Sequence, residues 1–357
     1  FFFFFSHEKH GVAFAAMGST AWSLAELRAQ CSSCAKSRSW QRAIQELESA
    51  LVAQLQKDAV AFSAAMSACN KASAWQQTLM ILQMAGAAAT VVVYNGALTA
   101  CDRGEQWEFA LQLLSSFSRQ RLEPSTVTYG AACSACGRCK RWQQALQLLD
   151  LPSYLEPNII LMNSAMAACA EIHQGWQLTT LLLSKSLMQR LQPTALTLTS
   201  LFRSYGLGEQ WSRALELYET SWAYEVSNVI TRNALQAACA AGGAWEVALK
   251  LLAKMLENKD NIDEVTVTST LVACEGQWER ALMLLHQMPE WHLRRDLIAF
   301  NAASTALARS SRLELVQDLM VLLKDENLSP DVITYNAFLN ACERARQWQR
   351  ALVTLEE

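Results

Sequence analysis

Along this chain, apolar residues at helical spacing alternate with short polar links, and the alternation itself repeats. From Val92 to Cys101 the apolar positions recur at the three- and four-residue steps of one helix face. The polar stretch Asp102–Gln106 interrupts them, and a second apolar pattern opens at Trp107 and runs through Ala110, Leu111, Leu113 and Leu114. Trp marks the same point elsewhere, as Trp40, Trp75, Trp107, Trp142, Trp176, Trp211, Trp245, Trp278 and Trp348, in steps of 32 to 35 residues with one slot skipped. Leu313 fills that slot. Six residues ahead of the marker stand Cys34, Cys69, Cys101, Cys136, Tyr205, Cys239, Leu307 and Cys342, and three residues behind it Ala recurs, for example as Ala43, Ala145 and Ala248. Cys169 leads its Trp by seven residues and Cys274 by four, so two repeats carry small indels.

Each period predicts two helices. Small Ala and Cys let neighbouring helices approach closely, while Trp and Leu fill the seams. One such pair cannot bury its apolar face alone, but stacked pairs can, and the predicted fold is an all-α solenoid superhelix with a long concave surface. Ten repeats start near Leu24, Ala59, Val91, Thr126, Ile159, Ala195, Val229, Glu264, Leu297 and Val332. The array spans 24–357, its tenth repeat breaks off inside the second helix, and the expectation is that the native protein continues. Residues 1–23, with the Phe1–Phe5 tract, read as a disordered leader or fragment edge.

Composition narrows the class. Apolar residues make up 52% of the 357, which is ample for a core, and 13 Gly and 6 Pro are too few for a protein of many short strands. The net charge of −3 withholds the usual basic signature of nucleic-acid binding, although it does not report on a local stripe. Eleven Cys, an odd number, argue against a disulfide framework and for a reducing compartment. No run of eighteen apolar residues suggests a membrane span.

The first-helix openings read Val-Val-Val-Tyr-Asn (91–95), Thr-Val-Thr-Tyr-Gly (126–130) and Val-Ile-Thr-Tyr-Asn (332–336), and repeats tend to end in Pro plus a small polar residue: Pro124-Ser125, Pro157-Asn158, Pro193-Thr194, Pro330-Asp331. This resembles the pentatricopeptide repeat, of the plain P type. The tetratricopeptide pattern places its Trp in the first helix, whereas here Trp opens the second. The resemblance covers about residues 24–357. It implies a right-handed superhelix that binds single-stranded RNA at one nucleotide per repeat, with RNA-processing proteins as further partners, in RNA processing, stability, editing or translation in a chloroplast or mitochondrion. The chain itself shows no clear transit peptide.

Three slots carry the candidate chemistry. The fifth residue of each first helix is Arg28, Ser63, Asn95, Gly130, Asn163, Thr199, Asn233, Thr268, Asn301 or Asn336. Asn and Thr cost up to ~0.7 kcal/mol against Ala inside a helix, so their recurrence wants a reason. They either read base edges or bond a neighbouring helix within the stack. The residue just before each first helix is Asp58, Thr90, Ser125, Asn158, Thr194, Asn228, Asp263, Asp296 or Asp331, and each suits a helix N-cap. The resemblance makes these two slots a base-reading pair. Asn95 with Ser125 looks like a cytosine reader and Asn163 with Thr194 a pyrimidine reader. Thr199 with Asn228 resembles the adenine pair and Thr268 with Asp296 the guanine pair. Asn233 with Asp263, and Asn301 with Asp331, resemble uracil pairs, so repeats six to nine spell A-U-G-U. Ser63 with Thr90 and Gly130 with Asn158 depart from the family's pairs.

The third slot is the second residue of each first helix: Val60, Val92, Val127, Ile160, Leu196, Ile230, Val265, Ile298 and Ile333. On chemistry alone an aliphatic helical stripe predicts core packing; the resemblance implies that these residues sandwich bases. Near the end of the first helix a cation recurs as Lys36, Lys71, Arg103, Arg138, Arg309 and Arg344, while Glu171, Leu207, Ala241 and Gly276 break the stripe. These cations either track phosphates or answer the helix macrodipole. Cys133, Cys136 and Cys139 form C-x2-C-x2-C, but the middle one is the repeat's own small core residue and four metal ligands in a defined spacing are not found. No phosphate loop, dinucleotide fingerprint, nucleophile elbow or deaminase arrangement of His and Cys is visible. The expectation is a binding protein with no catalytic residues, cofactor, metal, small-molecule substrate or membrane span. The competing expectation is a protein-binding scaffold that uses the same concave surface.

Overall fold

The computed structural model describes residues 24–37, 39–52, 58–150, 155, 158–258 and 262–351. The leader expected at 1–23 and the end of the tenth repeat, 352–357, lie outside these residues. The described residues hold twenty α-helices and no strand. The first helices of the ten repeats are α1 (Leu24–Ser37), α3 (Ala59–Lys71), α5 (Val91–Arg103), α7 (Thr126–Arg138), α9 (Ile159–Ala170), α11 (Ala195–Leu207), α14 (Val229–Ala241), α16 (Glu264–Ala273), α18 (Leu297–Arg309) and α20 (Val332–Arg344). Every start falls where the sequence predicts it. The second helices are α2 (Trp40–Val52), α4 (Trp75–Ala85), α6 (Trp107–Arg119), α8 (Trp142–Gln147), α10 (Gly175–Met188), α12 (Trp211–Tyr218), α15 (Trp245–Glu257), α17 (Trp278–Gln287) and α19 (Leu313–Asp325). A short α13 (Ser221–Val226) follows α12, and 3-10 turns close α4 and α17.

The starts are sharp because the caps are good. Asp58, Ser125, Asn158, Asn228, Asp263, Asp296 and Asp331 each accept a hydrogen bond from the backbone N–H three residues on, at 2.8–3.3 Å. Such a cap contributes ~1 kcal/mol. In repeats two, three, four, six, nine and ten the chain turns through a left-handed residue at the same register, Ser73, Glu105, Lys140, Glu209, Ser311 and Arg346, at φ 55–57°. Repeat seven makes the same left-handed turn through glycine, Gly243 at φ 65°.

The chain forms two compact units, Phe1–Gly104 with Ser115–Glu123, and Glu105–Leu114 with Pro124–Glu357. In the first, α1, α3 and α5 stack side by side, and α2 and α4 pack against them. Tyr94 and Phe117 meet there at 4.9 Å between ring centroids. In the second, α7, α9, α11, α14, α16, α18 and α20 form a continuous row of first helices, and each second helix bridges its own first helix to the next. That arrangement is an all-α solenoid of helix–turn–helix repeats.

The small residues let the row close up. Ala135, Cys136, Ala168, Cys169, Ala238 and Cys239 are no more than 1% exposed. A methyl on Gly206 would stand 3.1 Å from the Ala238 backbone, so these helices touch almost backbone to backbone. The periodic Trp seals the seam on the other side. Trp176 and Trp211 lie over Gly208 and Gly242 of the following repeat, where a β-carbon would come within 2.4 and 2.2 Å of the indole. Arginines of the following repeat cover the outer faces: Arg213 sits 4.3 Å from the Trp176 ring and Arg280 4.1 Å from Trp245. Each cation–π contact of this exposed kind contributes about 0.5–1 kcal/mol.

Candidate nucleic-acid interface

Residues two, five, six, nine and thirteen of one helix share a face, and in the first helices that face is the one the stack leaves uncovered. The aliphatic second-slot residues are the clearest sign. Val60, Val92, Val127, Ile160, Leu196, Ile230, Val265, Ile298 and Ile333 stand 54% to 69% exposed. The core-packing expectation for this slot is therefore wrong. A helical stripe of Val and Ile reads as buried in any one helix, but here the neighbouring helices pack on the residues beside it. Single exposed apolar side chains are ordinary; a row of them in register is not.

The polar fifth-slot residues are more buried than the aliphatic second-slot ones. Asn301 and Thr268 are 8% and 7% exposed, and Asn163, Thr199 and Asn233 are half-buried. In three repeats the structure joins the two predicted members of a pair. Asn163 Nδ2 donates to Thr194 Oγ1 at 3.0 Å. Asn233 Nδ2 donates to both carboxylate oxygens of Asp263 at 3.0 Å. Asn301 Nδ2 donates to those of Asp331 at 3.0 and 3.2 Å. In each case a threonine from the next first helix also donates to the Asn oxygen at 2.6 Å: Thr197, Thr266 and Thr334. The same slots in repeat one meet as an ion pair, Arg28 Nε to Asp58 at 2.6 Å. The two pairs with Thr in the fifth slot behave differently. Thr199 donates back to the Ala195 carbonyl at 2.8 Å and Thr268 to that of Val265 at 3.1 Å. Asn228 and Asp296 cap their own helices. Asn95 and Ser125 belong to different compact units; Asn95 lies half-buried on α5 and Ser125 caps α7. Asn336 is exposed on α20. At Gly130 the fifth slot offers open space, with nothing within 4 Å of where a β-carbon would stand.

Electrostatics follow from the same bonds. Burial alone would raise the Asp263 carboxyl, but hydrogen bonds from Thr266 and Asn233 outweigh it and hold it below the usual carboxylate range. The Thr334 backbone N–H does the same for Asp331, against burial and with help from the Thr334 hydroxyl and Asn301. Both last-slot aspartates are thus firmly anionic acceptors.

The cation stripe is exposed but tied down. Arg103 reaches the Asn70 carbonyl, Arg344 donates to the Arg309 carbonyl at 2.9 Å, and Arg309 pairs with Glu275 at 2.8 Å. Arg103 and Arg344 each bind a carbonyl at the C-terminal end of the preceding first helix, so for these two a macrodipole contact is made across the seam, not within one helix. Lys71 and Arg138 are exposed at the same register. Where Glu171 interrupts the stripe, Arg203 of the next helix pairs with it at 2.8 Å, a cation the sequence reading missed.

These elements converge in one groove of about 560 Å³ on the first-helix face of repeats four to six. Ile160 and Leu196 contribute apolar surface to its lining, Asn163 an amide, and Arg138 and Lys140 positive charge. Ser134, Ser164 and Ser200, three small hydroxyls that were not singled out from the sequence, also line it, together with Gly137, Ala167 and the acidic Glu171. The cysteine run does not form a site. Cys133 and Cys136 are core residues, Cys139 donates to the Glu105 carbonyl at 3.1 Å, and no group of three potential metal ligands occurs among the described residues. No helix among them is long and apolar enough to cross a membrane.

Comparison with known proteins agrees with this arrangement. A family model described as a pentatricopeptide repeat domain matches residues 271–356. Pentatricopeptide repeat-containing protein 10 of Zea mays, a chloroplastic protein, is 30% identical over 120 residues, 32% of this chain and 15% of that one. A chloroplastic pentatricopeptide repeat protein of Arabidopsis thaliana is 25% identical over 193 residues, 53% of this chain and 21% of that one. An apicoplast relative from Plasmodium falciparum is 24% identical over 99 residues, 28% of this chain and 16% of that one. The matched stretches thus cover less than a quarter of the length of these curated relatives. Among solved structures, the maize protein PPR10 superposes with a TM-score of 0.65 at 21% identity, over 92% of this chain and 49% of that one. The same protein in complex with an 18-nt psaJ RNA element gives 0.62 at 17% identity, over 89% of this chain and 51% of that one.

Proposed function

We infer that this chain, a pentatricopeptide repeat protein, binds single-stranded RNA along the face of its first helices, one nucleotide to a repeat. The observation that carries this is the groove of repeats four to six, where Ile160, Leu196, Asn163 and Arg138 come together. Two aliphatic side chains held in water on successive helices make a slot for a flat base, which gains by losing water from both faces. An asparagine at the bottom of the slot meets the edge of that base, and a guanidinium at the rim answers its phosphate. The aliphatic walls recur along the row as Ile230, Val265, Ile298 and Ile333, and the asparagine as Asn233 and Asn301. The solved relative that carries an RNA element supports RNA as the ligand.

The base-reading pairs follow the assignments made from the sequence: adenine at Thr199 with Asn228, uracil at Asn233 with Asp263, guanine at Thr268 with Asp296 and uracil at Asn301 with Asp331. The chain acts by occupancy, by masking RNA, remodelling it or guiding a processing factor, within an organelle. The chloroplast and apicoplast names of its relatives support that setting. Selection of bound RNA from a random pool tests the reading. Enrichment of a motif containing A-U-G-U is expected; recovery of unenriched sequence contradicts it.

A further inference from the structure

Repeat one is built differently from the repeats that follow. Its fifth slot holds Arg28, the only long side chain in that slot, and its second slot holds Ala25 where the other first helices carry Val, Ile or Leu. Arg28 meets Asp58, the last-slot residue, side-on: Nε donates to Oδ2 at 2.6 Å and Nη2 to Oδ1 at 3.0 Å. Asp58 Oδ2 also accepts the Ala61 backbone N–H at 3.2 Å, as the cap of α3. Both carboxylate oxygens are thus engaged within the protein, and the Asp58 side chain is only 13% exposed.

The contrast with repeats seven and nine is one of charge. There a neutral amide, Asn233 or Asn301, meets the aspartate, and the pair stays negative. In repeat one the guanidinium cancels the carboxylate. The hydrogen bond from Arg28 holds the Asp58 carboxyl below the usual carboxylate range, against burial, so both partners stay charged at neutral pH. Side-on bonding also fixes the plane of the guanidinium and withholds its Nε edge from any base. The other edge, Nη1 with the second N–H of Nη2, has no partner among the described residues, and the Arg28 side chain is 50% exposed. Such an edge matches two oxygens of a phosphate. Lys36 stands exposed further along the same face of α1. In place of an amide and an aliphatic wall, this helix has cations in its fifth and thirteenth slots and only a methyl group in its second.

We propose that repeat one is blind to base identity: the Arg28–Asp58 pair closes its reading slot, and the outer edge of Arg28 takes a backbone phosphate of the RNA instead. The proposal rests on the RNA-binding reading above. Repeat one then adds affinity without adding sequence information.

The test uses a labelled RNA containing A-U-G-U, selected for tight binding and varied one position at a time through the four bases. Wild type is compared with Arg28→Met plus Asp58→Asn, and with Arg28→Asn, alone and with Ala25→Ile. The first variant removes both charges together, so the local net charge is unchanged, and Asn still caps α3. It is expected to bind every RNA of the scan about three- to fivefold more weakly. Its slope of log affinity against log salt should be shallower by about 0.7, the share of one phosphate on a single strand, and the wild-type base preferences should persist. Arg28→Asn rebuilds with Asp58 the pair that Asn233 makes with Asp263, and Ala25→Ile adds the wall. These variants are expected to gain a preference for U at one position where wild type has none. Thermal unfolding checks that each variant folds; Arg28 is half in water, so its replacement leaves the core intact. Unchanged affinity and salt slope in the first variant would remove the phosphate contact. Loss there of a preference at one position, above all for G, would show that Arg28 reads a base edge. No gain of U preference in either Asn variant would mean that the ion pair does not close the slot. Each of these results overturns the proposal. A wild type without base preference at any position overturns base reading itself, which is a separate failure.

Discussion

Replacing Ile230 and Ile298 together by alanine separates a ligand-facing ladder from a core. Ile230 is 66% exposed and Ile298 63%. Full burial of an isoleucine side chain is worth ~1.5–3 kcal/mol, so the third that is buried contributes roughly 0.5–1 kcal/mol at each site. Alanine returns a few tenths, ~0.4 kcal/mol, through its better helix propensity. The pair should therefore cost the fold no more than about 1 kcal/mol. By contrast, Phe300 is 0% exposed, and Phe300→Ala should cost ~3–5 kcal/mol. RNA binding reverses the order. Stacking of a base on a protein surface is worth ~1–3 kcal/mol, and an aliphatic wall falls at the low end. Two missing walls then remove roughly 2 kcal/mol, about 30-fold in Kd. Thermal unfolding and fluorescence anisotropy of a labelled A-U-G-U RNA, at one fixed salt concentration, measure both. A stability loss above about 3 kcal/mol would return the ladder to the core. An unchanged Kd in a stable double variant would remove it from the interface.

Three further outcomes follow from particular residues. Glu209 turns the chain at φ 55° where repeat seven uses Gly243, so Glu209→Gly should stabilise by about 0.5–1 kcal/mol in denaturant unfolding; a loss would mean that the side chain is needed at the turn. All eleven cysteines are free and Cys139 alone is not buried, while burial pushes Cys69 and Cys169 up to about 11 and Cys101 to about 12. A thiol reagent at pH 8 should label one cysteine rapidly and the rest only on unfolding, whereas fast labelling of several would contradict the packing. The folded Asp263 and Asp331 carboxyls lie below the usual value of about 3.9. Their contribution is complete above that unfolded value and lost as pH falls through the lower folded one. Unfolding followed against pH should thus show it steady at neutral pH and fading only below about 4, with Asp263→Asn flattening that acid limb.

The sequence located the helices because their punctuation is local. Asp58, Asn158 and Asp331 cap the next residues in the chain, and the Trp slot needs only its own helix to be recognised. What one helix alone does not show depends on partners about 33 to 35 residues away, one repeat along. Ile160 looks like core in α9 alone and is exposed only because other positions of that helix meet α7 and α11. Arg344 looks like a cap for its own helix and instead serves the Arg309 carbonyl. The Thr197 bond to Asn163 crosses the same seam, so it was invisible from either helix singly.

Exchanging Thr199 and Asn228 for Asn and Asp gives repeat six the side chains that repeat seven carries at Asn233 and Asp263. Binding of the doubly substituted protein to RNAs that differ only at the nucleotide opposite repeat six is the most direct measurement of whether each repeat meets one base. The preference should move from A to U at that nucleotide and at no other. A preference that stays with A, or one that shifts along the whole RNA, would contradict it.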